Sequence, residues 1–148
     1  MTTIRPATAQ DRSLLVPMIQ AFMAEEGIQV SASAIARNLD AMLDHASAML
    51  WIVLSEDGET IGFMTATQTV GLEFGKSAEL EDLYVIPSQR GKGLARRMVA
   101  AALNWAKAQG VRELILFVTP DGRQQGLEAF YEKLGFEPVD RIMFARSL

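Results

Sequence analysis

Cysteine is absent from the chain, and histidine occurs once, as His45. Without thiols there is no disulfide framework and no thiolate, so cysteine-based zinc sites and cysteine nucleophiles are excluded. A lone histidine cannot supply a metal cluster, and no metal site is expected. Apolar runs approaching the ~18 residues of a membrane span are missing, and the start, MTTIRPATAQDR, lacks the apolar core of a signal peptide. The expectation is a cytoplasmic protein with no membrane partner. An excess of basic residues is missing too: 14 Lys and Arg stand against 18 Asp and Glu, a net charge of −4. That balance argues against broad nucleic-acid binding and favours a small cationic partner. Internal repeats, linkers and low-complexity segments are also lacking, so residues 1–148 are read as a single domain.

Hydrophobic residues make up 49% of the chain and charged residues 22%, the composition of a globular protein that folds alone. Thr2 to Arg5 is a short extended start. Thr8 with Asp11 three residues on forms a cap for a helix whose apolar face carries Leu14, Leu15, Met18, Ile19, Phe22 and Met23. Pro17 lies off that face but removes a backbone hydrogen bond, which predicts a kink or a break. Gly27 ends the first helix, and Ser31 or Ser33 caps a second, with Ile35, Leu39, Met42 and Leu43 on one face and its end near His45. MLWIVLSEDGETIGFMTATQTV reads as a hairpin about Asp57-Gly58, and AELEDLYVIP as a third strand. Helical spacing returns from Gly93 to Gln109 and stops at Gly110. ELILFV has the continuous apolar pattern of a strand covered on both faces. Leu127, Phe130, Tyr131 and Leu134 mark a last helix ending at Gly135, and FEPVDRIMFARSL supplies one or two closing strands. The whole is an α/β (α+β) mixed sheet with helices on both sides.

The stretch EDLYVIPSQRGKGLARRM places two glycines and four basic residues between a strand and a helix. A helix start carries unpaired N–H groups and the positive end of the helix dipole, which suits phosphate. Gly91 and Gly93 allow close approach of the main chain to an anion, and Arg90, Lys92, Arg96 and Arg97 add positive charge. A plain loop, with glycines for turning and arginines for solubility, would have the same pattern. No Gly-Lys-Ser/Thr follows a four-residue spacer, and the third glycine of a dinucleotide fingerprint is missing.

Arg90-Gly91-Lys92-Gly93-Leu94-Ala95 resembles the Arg/Gln-x-x-Gly-x-Gly/Ala signature of the GCN5-related N-acetyltransferases, where that turn holds the pyrophosphate of acetyl-coenzyme A. LEDLYVIPSQRGKGLA resembles the family's central strand and turn, and AFYEKLGF its last helix entering the next strand. The element order agrees over essentially the full chain. The resemblance implies a central, mostly antiparallel mixed sheet of six to seven strands with about four helices. It also implies roles for particular residues. Main-chain groups of Leu83, Tyr84 and Val85 would pair with the pantetheine arm like an added strand. The amides of Gly91, Lys92, Gly93, Leu94, Ala95 and Arg96 would surround the pyrophosphate. Tyr131 matches the usual general acid, although its position also continues the apolar stripe of its helix. Gln124 stands where many members carry an asparagine that touches the cofactor, and Gly126 beside it points to a late or irregular helix start.

Amine acetylation needs a neutral amine and a proton for the departing thiolate. Glu81 ranks first as base, with Glu79 and Asp82 as alternates or amine anchors. Strand alternation puts Glu79 and Glu81 on one face and Asp82 on the other unless a bulge intervenes, as the family's strand often has. Glu73 and the Glu25-Glu26 pair could line the acceptor pocket, though solvation is the simpler reading. The expected protein is an acetyl-coenzyme A-dependent N-acetyltransferase acting by direct transfer in a ternary complex. The expected acceptor is a polyamine or aminoglycoside, with a peptide or protein amine open and a homodimer admitted by the resemblance. The alternative is a coenzyme A-binding sensor or interaction module of the same fold without turnover.

Overall fold

The structure is a computed structural model that describes residues 1–148. The chain forms two compact units, Met1–Leu116 and Phe117–Leu148. In the first, strands β1 (Thr3–Pro6), β2 (Ala48–Leu54), β3 (Thr60–Gly71), β4 (Gly75–Val85) and β5 (Glu113–Ile115) lie in the order β1-β2-β3-β4-β5. Neighbours are antiparallel except β4 and β5, which run parallel. Helices α1 (Arg12–Glu25) and α2 (Ala32–Leu43) precede β2, and α3 (Leu94–Ala108) joins β4 to β5. No helix is long and apolar enough to cross a membrane.

Alternation along the strands explains the layering. Leu50 and Ile52 of β2, Phe63 of β3 and Tyr84 of β4 share one face, and Leu15, Ile19, Ile35 and Leu39 of α1 and α2 bury against it. Trp51, between Leu50 and Ile52, faces the opposite way and meets Trp105 of α3 edge to face at 5.4 Å. Both tryptophans are therefore packed between sheet and helix. The fully buried side chains on this opposite side include Met64, Met98 and Val99.

Helix ends follow the sequence signals. Thr8 N donates to Asp11 Oδ2 at 2.8 Å, closing the turn before α1, and Ser31 caps α2 by accepting from Ala34 N at 3.2 Å. Asp11 is also gripped by Arg5, whose two terminal nitrogens donate to its carboxylate at 2.8 and 2.7 Å. This pair ties β1 to the start of α1. Pro17 does not break the helix: α1 runs continuously from Arg12 to Glu25. The lost bond affects only the Ser13 carbonyl in the second turn, while Leu15 and Ile19 stay anchored in the core.

Two expectations fail at the end of the chain. ELILFV forms only the three residues of β5, with Ile115 and Phe117 exposed rather than covered. β5 has β4 as its single partner, over Ser77–Glu79, so nothing extends it. The second unit contains α4 (Pro120–Gln124) and α5 (Leu127–Glu132) and no strand, so the closing strands expected from FEPVDRIMFARSL do not form. The sheet thus has five strands rather than six or seven, and the α-helices number five, against about four expected. The fold class stands.

Two predictions test these contacts. A Cβ added at Gly62 would lie 2.5 Å from the Tyr84 carbonyl oxygen, so Gly62→Ala should cost about 1–3 kcal/mol, read as a lower denaturation midpoint. An unchanged midpoint would contradict the close approach. Arg5 holds the Asp11 carboxyl at about 2, below the ~3.9 of an unfolded chain. The stabilisation is then complete above about pH 5 and lost as pH falls through about 2. Because Arg5 is 39% exposed, the effect is discounted to about 1 kcal/mol. Asp11→Asn should be less stable by that amount near pH 7 and should converge with the unmodified protein near pH 2.

Candidate active site

β4 leads through a short 3-10 turn, Pro87–Gln89, into Arg90-Gly91-Lys92-Gly93 and then α3. Gly91 and Gly93 have φ of 76° and 77°, a left-handed backbone that side chains with a Cβ rarely adopt. Gly93 caps α3 without any side-chain hydrogen bond, and the first bond of the helix runs from Arg97 N to Gly93 O at 3.2 Å. The amides of residues 91–96 consequently have no partner within the chain. Six free donors at the positive end of a fifteen-residue helix make an anion seat.

The four basic residues around this seat are not equivalent. Lys92 Nζ reaches Gln89 at 3.1 Å on the surface, and Arg96 is exposed with no hydrogen bond or ion pair. Arg97 donates to the Thr2 carbonyl at 3.0 Å. Arg90, expected to lend charge to a phosphate, turns back instead: its Nε donates to the Val85 carbonyl at 2.8 Å and a terminal nitrogen to Glu25 at 2.6 Å. Lys92 and Arg96 are therefore the cations left for an anion, and Glu25 is ion-paired rather than merely solvated.

The edge of β4 before this turn is also unpaired. β5 bonds β4 only over Ser77–Glu79, so within this unit the β5 side of β4 has no strand from Leu80 to Val85. The Tyr84 carbonyl faces Gly62 of β3, and Ile86 N donates to Ile61 O at 3.0 Å. Alternation then directs the main-chain groups of Leu83 and Val85 to the open side. Arg90 occupies the Val85 carbonyl, leaving both groups of Leu83 and the Val85 N–H. Tyr84, expected with them, spends its main chain on β3.

A register shift between Thr65 and Ala66 sets the carboxylates. Thr65 pairs with Asp82 and Ala66 with Leu80, so Glu81 is the extra residue of a β-bulge. Beyond the bulge the alternation changes phase. Glu79 opposite Thr67 and Asp82 opposite Thr65 now share the face of Tyr84, α1 and α2. Glu81 joins them, accepting from Thr67 Oγ1 at 2.6 Å, while Asp82 accepts from Thr65 Oγ1 at 2.6 Å. Without the bulge Asp82 would point to the α3 side. Burial raises the Asp82 carboxyl, the Thr65 hydroxyl lowers it and Glu81 raises it. Glu79 is raised by burial and then by Glu81 and Asp82. Sequence reasoning missed Thr65 and Thr67; their spacing in MTATQTV sets both on one face, but their partners depend on the register.

In the second unit, Thr119 caps α4 by accepting from Gly122 N at 3.1 Å, and α5 starts only after Gly126. The late start expected from Gly126 is thus observed, and Gln124 ends α4 with an exposed side chain instead of sharing a helix with Tyr131. Tyr131 is fixed by the close of α5: Phe136 N and Leu134 N donate to its carbonyl at 3.1 and 2.9 Å, and Gly135 N donates to Glu132 O. Its ring packs edge to face on Phe130 at 5.1 Å and Phe136 at 5.7 Å. Burial raises its phenol above the ordinary value of 10.0, so the hydroxyl is protonated at neutral pH.

The sequence model described as the acetyltransferase (GNAT) family matches residues 15–136. An aminoglycoside N(6')-acetyltransferase type 1 of Stenotrophomonas maltophilia is 28% identical, over 97% of this chain and 92% of that protein. The uncharacterized N-acetyltransferase YjgM of Escherichia coli K12 is 30% identical, over 93% of this chain and 83% of that protein. Among solved structures, the aminoglycoside N-acetyltransferase AAC(6')-Iy in complex with CoA superposes with a TM-score of 0.85 at 22% identity, over 99% of this chain and 95% of that one, a likeness of fold.

The carboxylate cluster makes its own prediction. Asp82 should titrate above the ~3.9 of an ordinary aspartate. Thr65→Val, which removes the hydroxyl that favours the charged form, should raise it further. Carbon-detected NMR of the side-chain carboxyl reads both, and an Asp82 that titrates at or below the ordinary value would contradict the burial described.

Proposed function

This chain belongs to the acetyltransferase (GNAT) family and is an N-acetyltransferase, and we propose that it acetylates a small cationic amine by direct transfer in a ternary complex with acetyl-coenzyme A. The observation that carries the reading is the turn at Gly91 and Gly93, whose unpartnered amides continue onto the open edge of β4. Those groups fit the cofactor. The amides of residues 91–96, with Lys92 and Arg96, would hold the pyrophosphate, and the free main-chain groups of Leu83 and Val85 would hold the pantetheine arm. When bound, the cofactor supplies an activated acetyl thioester.

The chain's own residues supply the proton transfers. Glu81 is exposed and held by Thr67, so it can accept a proton from the incoming ammonium. Glu79 and Asp82, on the same face, would hold the cation in place. Tyr131, protonated at neutral pH, would give a proton to the departing sulfur. The absence of cysteine removes the thiol that a thioester enzyme intermediate would need, which favours direct attack. The net charge of −4 and the names of the aminoglycoside-acetylating relatives support a small cationic acceptor.

Release of coenzyme A measured with spermidine, kanamycin and a peptide with a free amino terminus tests the proposal. Turnover should be highest with a small polyamine or aminoglycoside. Lys92→Glu with Arg96→Glu should raise KM for acetyl-coenzyme A about tenfold or more, and Tyr131→Phe should lower kcat about a hundredfold. A Tyr131→Phe enzyme with unchanged turnover at every pH would remove the acid role. A folded protein that neither binds coenzyme A nor acetylates any amine would overturn the whole reading.

A further inference from the structure

We infer that Arg90, with Glu25, is a positioning residue that ties the diphosphate-binding turn to the end of α1 and is not a ligand of the phosphates; this rests on the function proposed above. The Arg90 side chain sits between three partners. Its Nε donates to the Val85 carbonyl at 2.8 Å, a terminal nitrogen donates to Glu25 Oε1 at 2.6 Å, and its guanidinium carbon stands 5.5 Å from the centroid of the Tyr84 ring. A planar guanidinium with forked donors can serve a carbonyl, a carboxylate and an aromatic face together, which an ammonium cannot. Its main chain is fixed as well, since Arg90 N donates to the Pro87 carbonyl at 3.2 Å.

The partners make the contact a link between the glycine turn and the end of α1. Glu25 is the last residue of α1, two positions before the turn at Gly27 that leads to Ser31 and the cap of α2. Tyr84 touches Phe22 of α1 at 5.5 Å. α1 therefore meets the exit of β4 through a ring contact and through the ion pair. The residue that opens the glycine turn also sets where the α1–α2 connection lies. An ion pair this exposed, 45% and 40%, adds little to stability, so its value is geometric. A guanidinium engaged in this way leaves Lys92 and Arg96 to meet the anion. A turn that tightens on a diphosphate draws on Arg90, and through Glu25 on residues 26–31, which connect α1 to α2.

Amide hydrogen exchange on the full chain, with and without coenzyme A, tests the link. Coenzyme A should slow exchange in residues 23–31 of the unmodified protein by about threefold or more. Arg90→Ala and Glu25→Gln should abolish that slowing, and Arg90→Lys should restore part of it. Affinity for coenzyme A should change by less than about threefold in all three, whereas Arg96→Ala should lose about tenfold. A tenfold loss in Arg90→Ala that Glu25→Gln does not share would make Arg90 a phosphate ligand and overturn the inference. Slowing that persists in both variants would overturn it as well. Glu25→Gln keeps Arg90 and carries the test if Arg90→Ala fails to fold. An unmodified protein that does not bind coenzyme A overturns the proposed function together with this inference. Binding without slowing at residues 23–31 overturns the inference alone.

Discussion

A regular strand sends successive side chains to opposite faces, and β4 departs from that constraint by one residue, Glu81. The chemistry proposed for this protein depends on the departure. Three carboxylates from four consecutive positions, 79 to 82, reach one face because the bulge resets the phase between Leu80 and Asp82. The same reset leaves Ala78 and Leu80 on the α3 side and brings Tyr84 under α1. A strand of strict alternation could bury its apolar residues or collect its acids, but not both.

Electrostatically the site joins two opposites along a single strand. Upstream lie acids, two of them raised by burial. Downstream lies the glycine-capped start of α3, with unpaired amides and two available cations. Each is locally unfavourable: like charges repel on the strand, and a helix start capped by glycine, with no side-chain hydrogen bond, forgoes roughly a few tenths of a kcal/mol. Both persist because the sheet between them is over-determined, with Phe63, Met64, Ile52 and Met98 almost wholly buried around it. The two threonines temper the acids without neutralising them, since a hydroxyl donor favours the charged form while burial disfavours it.

Much of this was legible in the sequence, for reasons that separate local from long-range physics. Caps at Thr8 and Ser31, helix ends at Gly27 and Gly110, the hairpin about Asp57-Gly58 and the late start of α5 after Gly126 depend on near neighbours, and each is where the residues put it. The bulge was raised as a condition, but its phase depends on pairing with residues of β3 some fifteen positions away. The direction of Arg90 was missed because its partner, Glu25, lies 65 positions earlier. The break admitted at Pro17 does not form, since propensity yields to the packing of Leu15 and Ile19. ELILFV and the terminal segment read as strands by composition, yet a strand exists only where a neighbour supplies the ladder.

The central claim is that the main-chain amides after β4 receive a diphosphate. Titration of the isotope-labelled protein with coenzyme A, followed through the backbone amide resonances, tests it most directly. The account predicts that the amides of residues 91–96 and of Leu83 and Val85 shift downfield and saturate together, with Tyr84 shifting less because its main chain is already bonded to β3. Saturable binding that moves other amides and leaves residues 91–96 in place would contradict it.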